Sequence, residues 1–375
     1  RILTFSPPLP SSPRAAMSIL TRFGDLILAA LAPFLETRES VQRRIQHHSP
    51  VTQALVADRP VFEDAKHVEI RPGRSLNLLH VRGHCASAGA GSEGVRTRRH
   101  SNSPEDAQEV VLFFVHGSMG HMQQFDEQVT HFVGRGYSVV AFDAFGCGGS
   151  PKPRDWDAYS HAEMLADLKA IYQRYKGAKN ILVAHSYGAS MAMQLSEAMG
   201  EGGGGICGLV LIGACFGPDH YPKGSLKLFK NPLFFLQLAA PILRRGFIHR
   251  AVHPATLERQ TETHQRLVQR ILDRAGSNPM HVCQAFYRQM KWADADTAAR
   301  VSQDVLLITG EGDKLTPPKW AAQLTDIFRQ QRPERAAELA ILSNSSHQVM
   351  QELPVEVNAL IESFIAKALV PRRDV

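Results

Sequence analysis

Ser186, Asp313 and His347 are the residues of this sequence whose types and chain order suit nucleophilic attack on a carbonyl carbon. Ser186 sits in Ala184-His185-Ser186-Tyr187-Gly188, a small-x-Ser-x-Gly turn. The turn lies between an apolar run, Ile181 to Ala184, and a helix-permitting segment, Ala189 to Leu195. A strand, tight turn and helix in that order hold a serine outward from the strand's end. They also set the positive end of the helix where an oxyanion would develop. A serine hydroxyl stays a poor nucleophile until a base takes its proton. His347, in the polar loop Ser343-Asn344-Ser345-Ser346-His347, is the candidate base. Asp313, in Gly310-Glu311-Gly312-Asp313, is the carboxylate that would fix the imidazole tautomer and balance its charge, with Asp219 as the reserve acid. Two oxyanion donors are expected from the backbone: the N–H of Tyr187 and that of Ser118, in His116-Gly117-Ser118-Met119-Gly120.

These residues are useful only if the chain brings them together, and its pattern predicts how. Val110 to Val115 is a continuous apolar strand of the kind buried on both faces. A helix is expected over 121–134, a second buried strand over 137–142 and a helix over 160–176, which leads into the strand before Ser186. After the following helix, Gly202 to Gly205 connects to a strand over 208–213. The alternation resumes with strands over 304–309 and 337–342 and helices over 318–329 and 354–369. This rhythm predicts a parallel sheet with helices on both faces, whose ligands bind beyond the carboxyl ends of the strands. Each candidate residue falls just past such an end. Residues 66–82 read as a hairpin around Arg71-Pro72-Gly73-Arg74, and 83–108 as a surface loop rich in Gly, Ala, Ser and Arg.

Four segments follow from this reading. Residues 1–60 hold a Pro/Ser-rich coil and an amphipathic helix over 18–46, with Met17 as the expected true start. Residues 61–215 and 299–375 form the two parts of the core, and 216–298, broken by Pro232, Pro241, Pro254 and Pro279, form an inserted helical cap. The apolar run Leu26 to Leu35 is too short to span a bilayer and reads as a helix docking on the domain, a membrane-surface anchor or a degenerate signal sequence. The greasy stretch Leu226 to Leu243, flanked by Lys223, Lys227, Lys230, Arg244 and Arg245, reads as cap core, acyl-chain lining or membrane-facing lip.

Composition is that of an ordinary globular protein: 375 residues, 44% hydrophobic and 21% charged. The net charge of +6 is spread along the chain with no basic stripe interleaved with aromatics, which argues against nucleic acid as a partner and leaves weak attraction to anionic membranes open. Five cysteines without a CxxC pair argue for reduced thiols in a cytoplasmic setting, and against a disulfide framework or a zinc cage. His121 and Asp126 show His-x4-Asp spacing but fall in an expected helix and read as coincidence. After His347 the corresponding position is Glu352. The glycines of 146–149 lack GxGxxG spacing, so no dinucleotide is expected.

The motifs around Ser186, Asp313 and His347, together with Phe132-Val133-x-x-Gly136-Tyr137, Asp143-x-x-Gly146-x-Gly148-x-Ser150 and Ser346-His347-x-Val349-Met350, resemble the α/β-hydrolase superfamily of the serine-nucleophile type. The resemblance covers roughly 110–215 and 300–368. It implies the α/β-hydrolase fold, with a mostly parallel eight-stranded sheet and an inserted cap, a Ser186-Asp313-His347 triad in the chain order of that fold, no cofactor and no metal. It further implies an ester substrate, lipid-like among the candidates. The N-terminal helix and cap stretch leave peripheral membrane contact open, and a non-catalytic binding or scaffold protein on the same fold is the alternative reading, suggested by Ala184 and the basic loop over 83–108. Two departures are Ala184, where glycine is usual, and Ser118-Met119 in the oxyanion loop. Serine in place of aspartate at the turn disfavours epoxide hydrolysis and dehalogenation.

Overall fold

The computed structural model describes residues 61–83, 110–200, 203–217, 227–259 and 261–370. The expectations for the N-terminal helix, for most of the loop over 83–108 and for Asp219 lie outside those residues.

Strands β1 (Lys66–Arg71), β2 (Arg74–Val81), β3 (Val110–Val115), β4 (Ser138–Phe142), β5 (Lys179–His185), β6 (Ile206–Ile212), β7 (Asp304–Gly310) and β8 (Ala337–Leu342) form one sheet in the order β1-β2-β4-β3-β5-β6-β7-β8. Pairing is parallel from β4 through β8 and antiparallel where the hairpin β1-β2 joins one edge. Every residue of β3, β4 and β7 is buried, which is why those strands read as unbroken apolar runs rather than alternating ones. The pleat sends alternate side chains to two cores. One core takes Phe113, Leu182, Leu209 and Leu307 against α2 (His161–Tyr175), α3 (Tyr187–Ala198) and α9 (Pro318–Gln331). The other takes Leu112, Phe114, Ile181 and Ile308 against α1 (Asp126–Gly134) and α11 (Pro354–Ala368). The expected fold class is thus the observed one.

Two boundaries differ from the sequence reading. The helix expected over 121–134 divides into a 3-10 turn at Met122–Phe125 and α1, so His121 precedes the helical residues. A short helix α10 (Val349–Glu352) links the His347 loop to α11, because Pro354 cannot continue a helix from below and starts a new one.

Between β6 and β7 the described chain is helical: α4 (Leu233–Ala251), α5 (Pro254–Glu258), α6 (Glu262–Gly276), α7 (Met280–Gln289) and α8 (Ala295–Ala299). Its own small core is Ile248, Val252, Leu267 and Ile271. The greasy stretch before Leu243 divides its duties. Leu236 is buried, Leu228, Phe229 and Leu243 face a cavity, and Phe234, Leu238 and Ile242 form an exposed stripe one turn apart. None of the described helices is long and apolar enough to cross a membrane.

The hairpin is fastened by charge. Asp167 on α2, 3% exposed, accepts hydrogen bonds from Arg71 at 2.6 Å and from Arg74, whose guanidinium also lies 3.8 Å over the Phe145 ring. Replacing Asp167 by alanine would leave the buried Arg74 with Glu163 at 3.9 Å as its nearest carboxylate and the Ala158 carbonyl at 3.0 Å as its acceptor. Removing one partner of a buried ion pair costs about 3–5 kcal/mol. A urea midpoint that falls accordingly, with an unchanged denaturant slope, is the expected outcome.

Candidate active site

Ser186 caps the N-terminus of α3 with φ 53° and ψ −119°, a backbone conformation that L-residues seldom adopt and that costs on the order of 1–3 kcal/mol. Its surroundings hold it there. Its N–H donates to Ile212 O at 2.8 Å, tying the turn to β6. At Gly188 a Cβ would sit 2.4 Å from Val115 O and 2.6 Å from His116 O, so only glycine lets α3 approach the end of β3 this closely. A Cβ on Gly117 would meet Ser186 Cβ at 3.1 Å, which explains glycine on the facing loop as well. Ala184, the departure noted in the sequence, is fully buried in the same apolar core as Val115 and Leu211, so its methyl is absorbed without displacing the turn.

His347 and Asp313 meet from separate loops. His347 Nδ1 lies 2.8 Å from Asp313 Oδ2, and both residues are buried. A carboxylate can only accept, so Nδ1 carries the proton and Nε2 keeps its lone pair, the form a general base needs. Asp313 is itself held: its Oδ1 accepts the N–H groups of Leu315 and Thr316, each at 2.8 Å. The Thr316 hydroxyl lies 2.7 Å from Oδ2, 2.9 Å from Gly213 O and 3.1 Å from His347 Nδ1. Thr316 is a supporting residue that the motifs did not single out. Pro317 occupies the N-cap of α9, so Asp313 does not cap that helix.

His185, beside the serine, donates from Nε2 to His347 O at 2.9 Å and packs its ring 4.6 Å from the His347 ring. That leaves its buried Nδ1 without a partner. Burial, reinforced by the neighbouring His347, pushes the His185 pKa well below its ordinary value. His116 is fixed in the opposite tautomer: Nδ1 donates to Gly117 O at 2.7 Å, while Nε2 accepts the Ala144 N–H at 2.9 Å. Burial keeps it neutral too, the nearby Asp143 only partly opposing the shift.

The expected oxyanion donors fall at this end of the sheet. Tyr187 opens α3, where the first amides have no intrahelical acceptor. Ser118 follows β3 in a turn closed by Gly120 N–H to Gly117 O at 3.0 Å, with Met119 at φ 52°. Asn278, beside α7, clamps that turn by donating to Met119 O at 2.6 Å.

Ser118, Ser186, Thr316 and His347 border one cavity of about 240 Å³ roofed by the helical segment; Asp313 stands behind His347. The Ser186 hydroxyl makes no hydrogen bond among the described residues, and catalytic hydrogen bonds of unliganded enzymes often tighten only when substrate arrives. Among the described residues no group of three or more His, Cys, Asp or Glu could hold a metal.

The decoys resolve differently from one another. His121 does line the cavity, whereas Asp126 turns away to pair with Arg274 at 2.9 Å, so the two do not act together. Glu352 is structural: Oε1 accepts from His253 N–H at 2.8 Å and the Thr256 hydroxyl at 2.9 Å, and Oε2 accepts from Ser346 N–H at 2.7 Å. It ties the start of α5 to the loop that carries His347. Asp143, in the glycine-rich run, gathers Met122 N–H, Gly149 N–H and the Asn77 amide on its two oxygens, which accounts for the glycines without a nucleotide.

Comparison with known proteins fits this geometry. A family model described as serine aminopeptidase, S33, matches residues 106–354. Protein ABHD8 of Bos taurus is 30% identical over 295 residues, covering 74% of this chain and 64% of that protein, so the chain spans just under two thirds of that relative's length. Among solved structures, an esterase from Thermogutta terrifontis superposes with a TM-score of 0.63 at 18% identity, covering 82% of this chain and 100% of that one. An esterase from Exiguobacterium antarcticum gives 0.60 at 16% identity, covering 80% and 99%. At such identities the likeness shows a common fold.

Proposed function

The chain belongs to the serine aminopeptidase S33 family of α/β-hydrolases, and on that footing we propose that it is a serine hydrolase that cleaves a carboxylic ester through an acyl-enzyme. The observation that carries the reading is the strained Ser186 turn facing the same cavity as a His347 whose Nδ1 is engaged by Asp313. In this mechanism Ser186 Oγ attacks the carbonyl carbon as His347 Nε2 takes the hydroxyl proton. Negative charge then develops on the carbonyl oxygen, and the N–H groups of Tyr187 and Ser118 stabilise it. Collapse of the tetrahedral intermediate breaks the ester C–O bond, and the imidazolium returns the proton to the departing alkoxide, which leaves as alcohol. Water, deprotonated by the same imidazole, attacks the acyl-serine. The acid is released and the serine hydroxyl restored. Asp313 holds the tautomer and offsets the imidazolium charge without taking the proton itself.

A fluorophosphonate probe tests this directly, because it captures a serine only where a base activates it. The native protein should be labelled in minutes and the Ser186→Ala variant should not. An unlabelled native protein, or equal labelling of both, removes the proposal. The apolar walls of the cavity, with Leu228, Phe229 and Phe247 among them, support an ester with a substantial hydrocarbon part.

A further inference from the structure

The cavity that Ser186 faces carries an electrostatic asymmetry that ester hydrolysis does not require. Three guanidinium groups border it, those of Arg244, Arg250 and Arg274, and not one aspartate or glutamate does so among the described residues. Asp126 neutralises Arg274 through a 2.9 Å contact. Arg244 and Arg250 have no carboxylate partner among the described residues; Arg250 Nε donates only to Gly246 O, at 3.1 Å. Arg244 is half-buried, with Nε sealed from solvent and without any hydrogen-bond partner, and its head lies close against Gly276. Around these charges the wall is apolar: Leu228, Phe229, Leu243 and Phe247.

The part-buried Arg244 guanidinium beside hydrocarbon carries a desolvation cost that an incoming anion would offset, and the solvent-exposed Arg250 adds a second positive charge at the cavity's edge. Arginine suits that role because its planar fork matches carboxylate and phosphate oxygens and stays charged at any accessible pH. We propose that the substrate is an anionic amphiphile: an ester whose apolar body fills this cavity and whose non-scissile end carries a carboxylate or phosphate held by Arg244 and Arg250. This assignment rests on the ester-hydrolase reading for the reaction at the other end of the molecule, but the binding it describes does not depend on Ser186.

The experiment therefore uses the full chain carrying Ser186→Ala and measures equilibrium binding of octyl phosphate, octanoate, 1-octanol and inorganic phosphate. Both anionic amphiphiles should bind about tenfold or more tightly than 1-octanol, and inorganic phosphate, lacking the hydrocarbon, far more weakly than octyl phosphate. Their ranking separates a phosphate from a carboxylate preference. Adding Arg244→Gln and Arg250→Gln should bring the anions to within about twofold of 1-octanol, whose own affinity stays put. Raising ionic strength from roughly 0.05 M to 0.5 M should weaken the anions and leave the alcohol unchanged, a readout that needs no arginine variant. Equal affinity for anion and alcohol, no binding of octyl phosphate, or a preference that survives both arginine replacements overturns the proposal. Anion-selective binding in a protein that fluorophosphonate does not label would instead remove the ester-hydrolase reading and leave the anion site standing.

Discussion

Ser186→Ala should abolish ester turnover, lowering kcat by on the order of 10⁵- to 10⁶-fold, while KM stays within a few-fold of the native value. The loss is so large because a nucleophile, its base and the base's carboxylate work as one unit, and removing the nucleophile idles the other two. Asp313→Asn should cost about 10⁴-fold, since an amide in that place lets the imidazole adopt the wrong tautomer and gives the imidazolium no counter-charge. The double variant should be no slower than Ser186→Ala alone. Initial rates on a medium-chain 4-nitrophenyl ester, with the water reaction subtracted, measure all three. A Ser186→Ala protein within tenfold of native activity would place the reaction elsewhere.

Acid should destabilise this protein well before its carboxylates titrate. Three imidazoles at the rim of the sheet, His116, His121 and His185, are buried, and that burial depresses each pKa; the nearby Arg274 and His116 add to the effect at His121, which is held down to about 2. In the unfolded chain each would titrate near its ordinary value of 6.5. The unfolded state therefore binds more protons than the folded one below that pH, and stability falls as pH falls. Each proton is worth about 1.4 kcal/mol per pH unit once the unfolded histidine is protonated. Between pH 7.5 and 5.5 His121 and His185 together should remove about 3 kcal/mol, with His116 acting in the same direction. Asp126 and Glu352, whose pKa values burial raises, act in the opposite sense. Urea unfolding at the two pH values checks the sum, and replacing His121 by glutamine should shrink the difference by about 1.4 kcal/mol. A stability that does not change over that interval would mean these imidazoles take up protons in the folded state.

The sequence alone determined the strand-helix alternation, because strands buried on both faces must be written as unbroken apolar runs and a close strand-helix turn must be written with small residues. It also singled out Ser186, Asp313 and His347 as candidates, since each falls in a loop after a strand and their order is legible in one dimension. Tertiary structure decided what one dimension does not encode: which side chains share a cavity. Thr316 and His185 support His347 through contacts made across the fold, and Glu352 joins α5 to the His347 loop over an interval of 99 residues. His121 and Asp126, whose spacing read as coincidence, do part company: His121 borders the cavity while Asp126 pairs with Arg274. The charge lining the cavity was equally hidden. Arg244 reads in the sequence as one flank of a greasy stretch and Arg250 as one more scattered cation, and only the folded chain brings both to a cavity with no carboxylate among its described lining residues. Secondary structure answers to local periodicity, whereas electrostatics answers to distance in space, which is fixed only when the helices between β6 and β7 close over the end of the sheet.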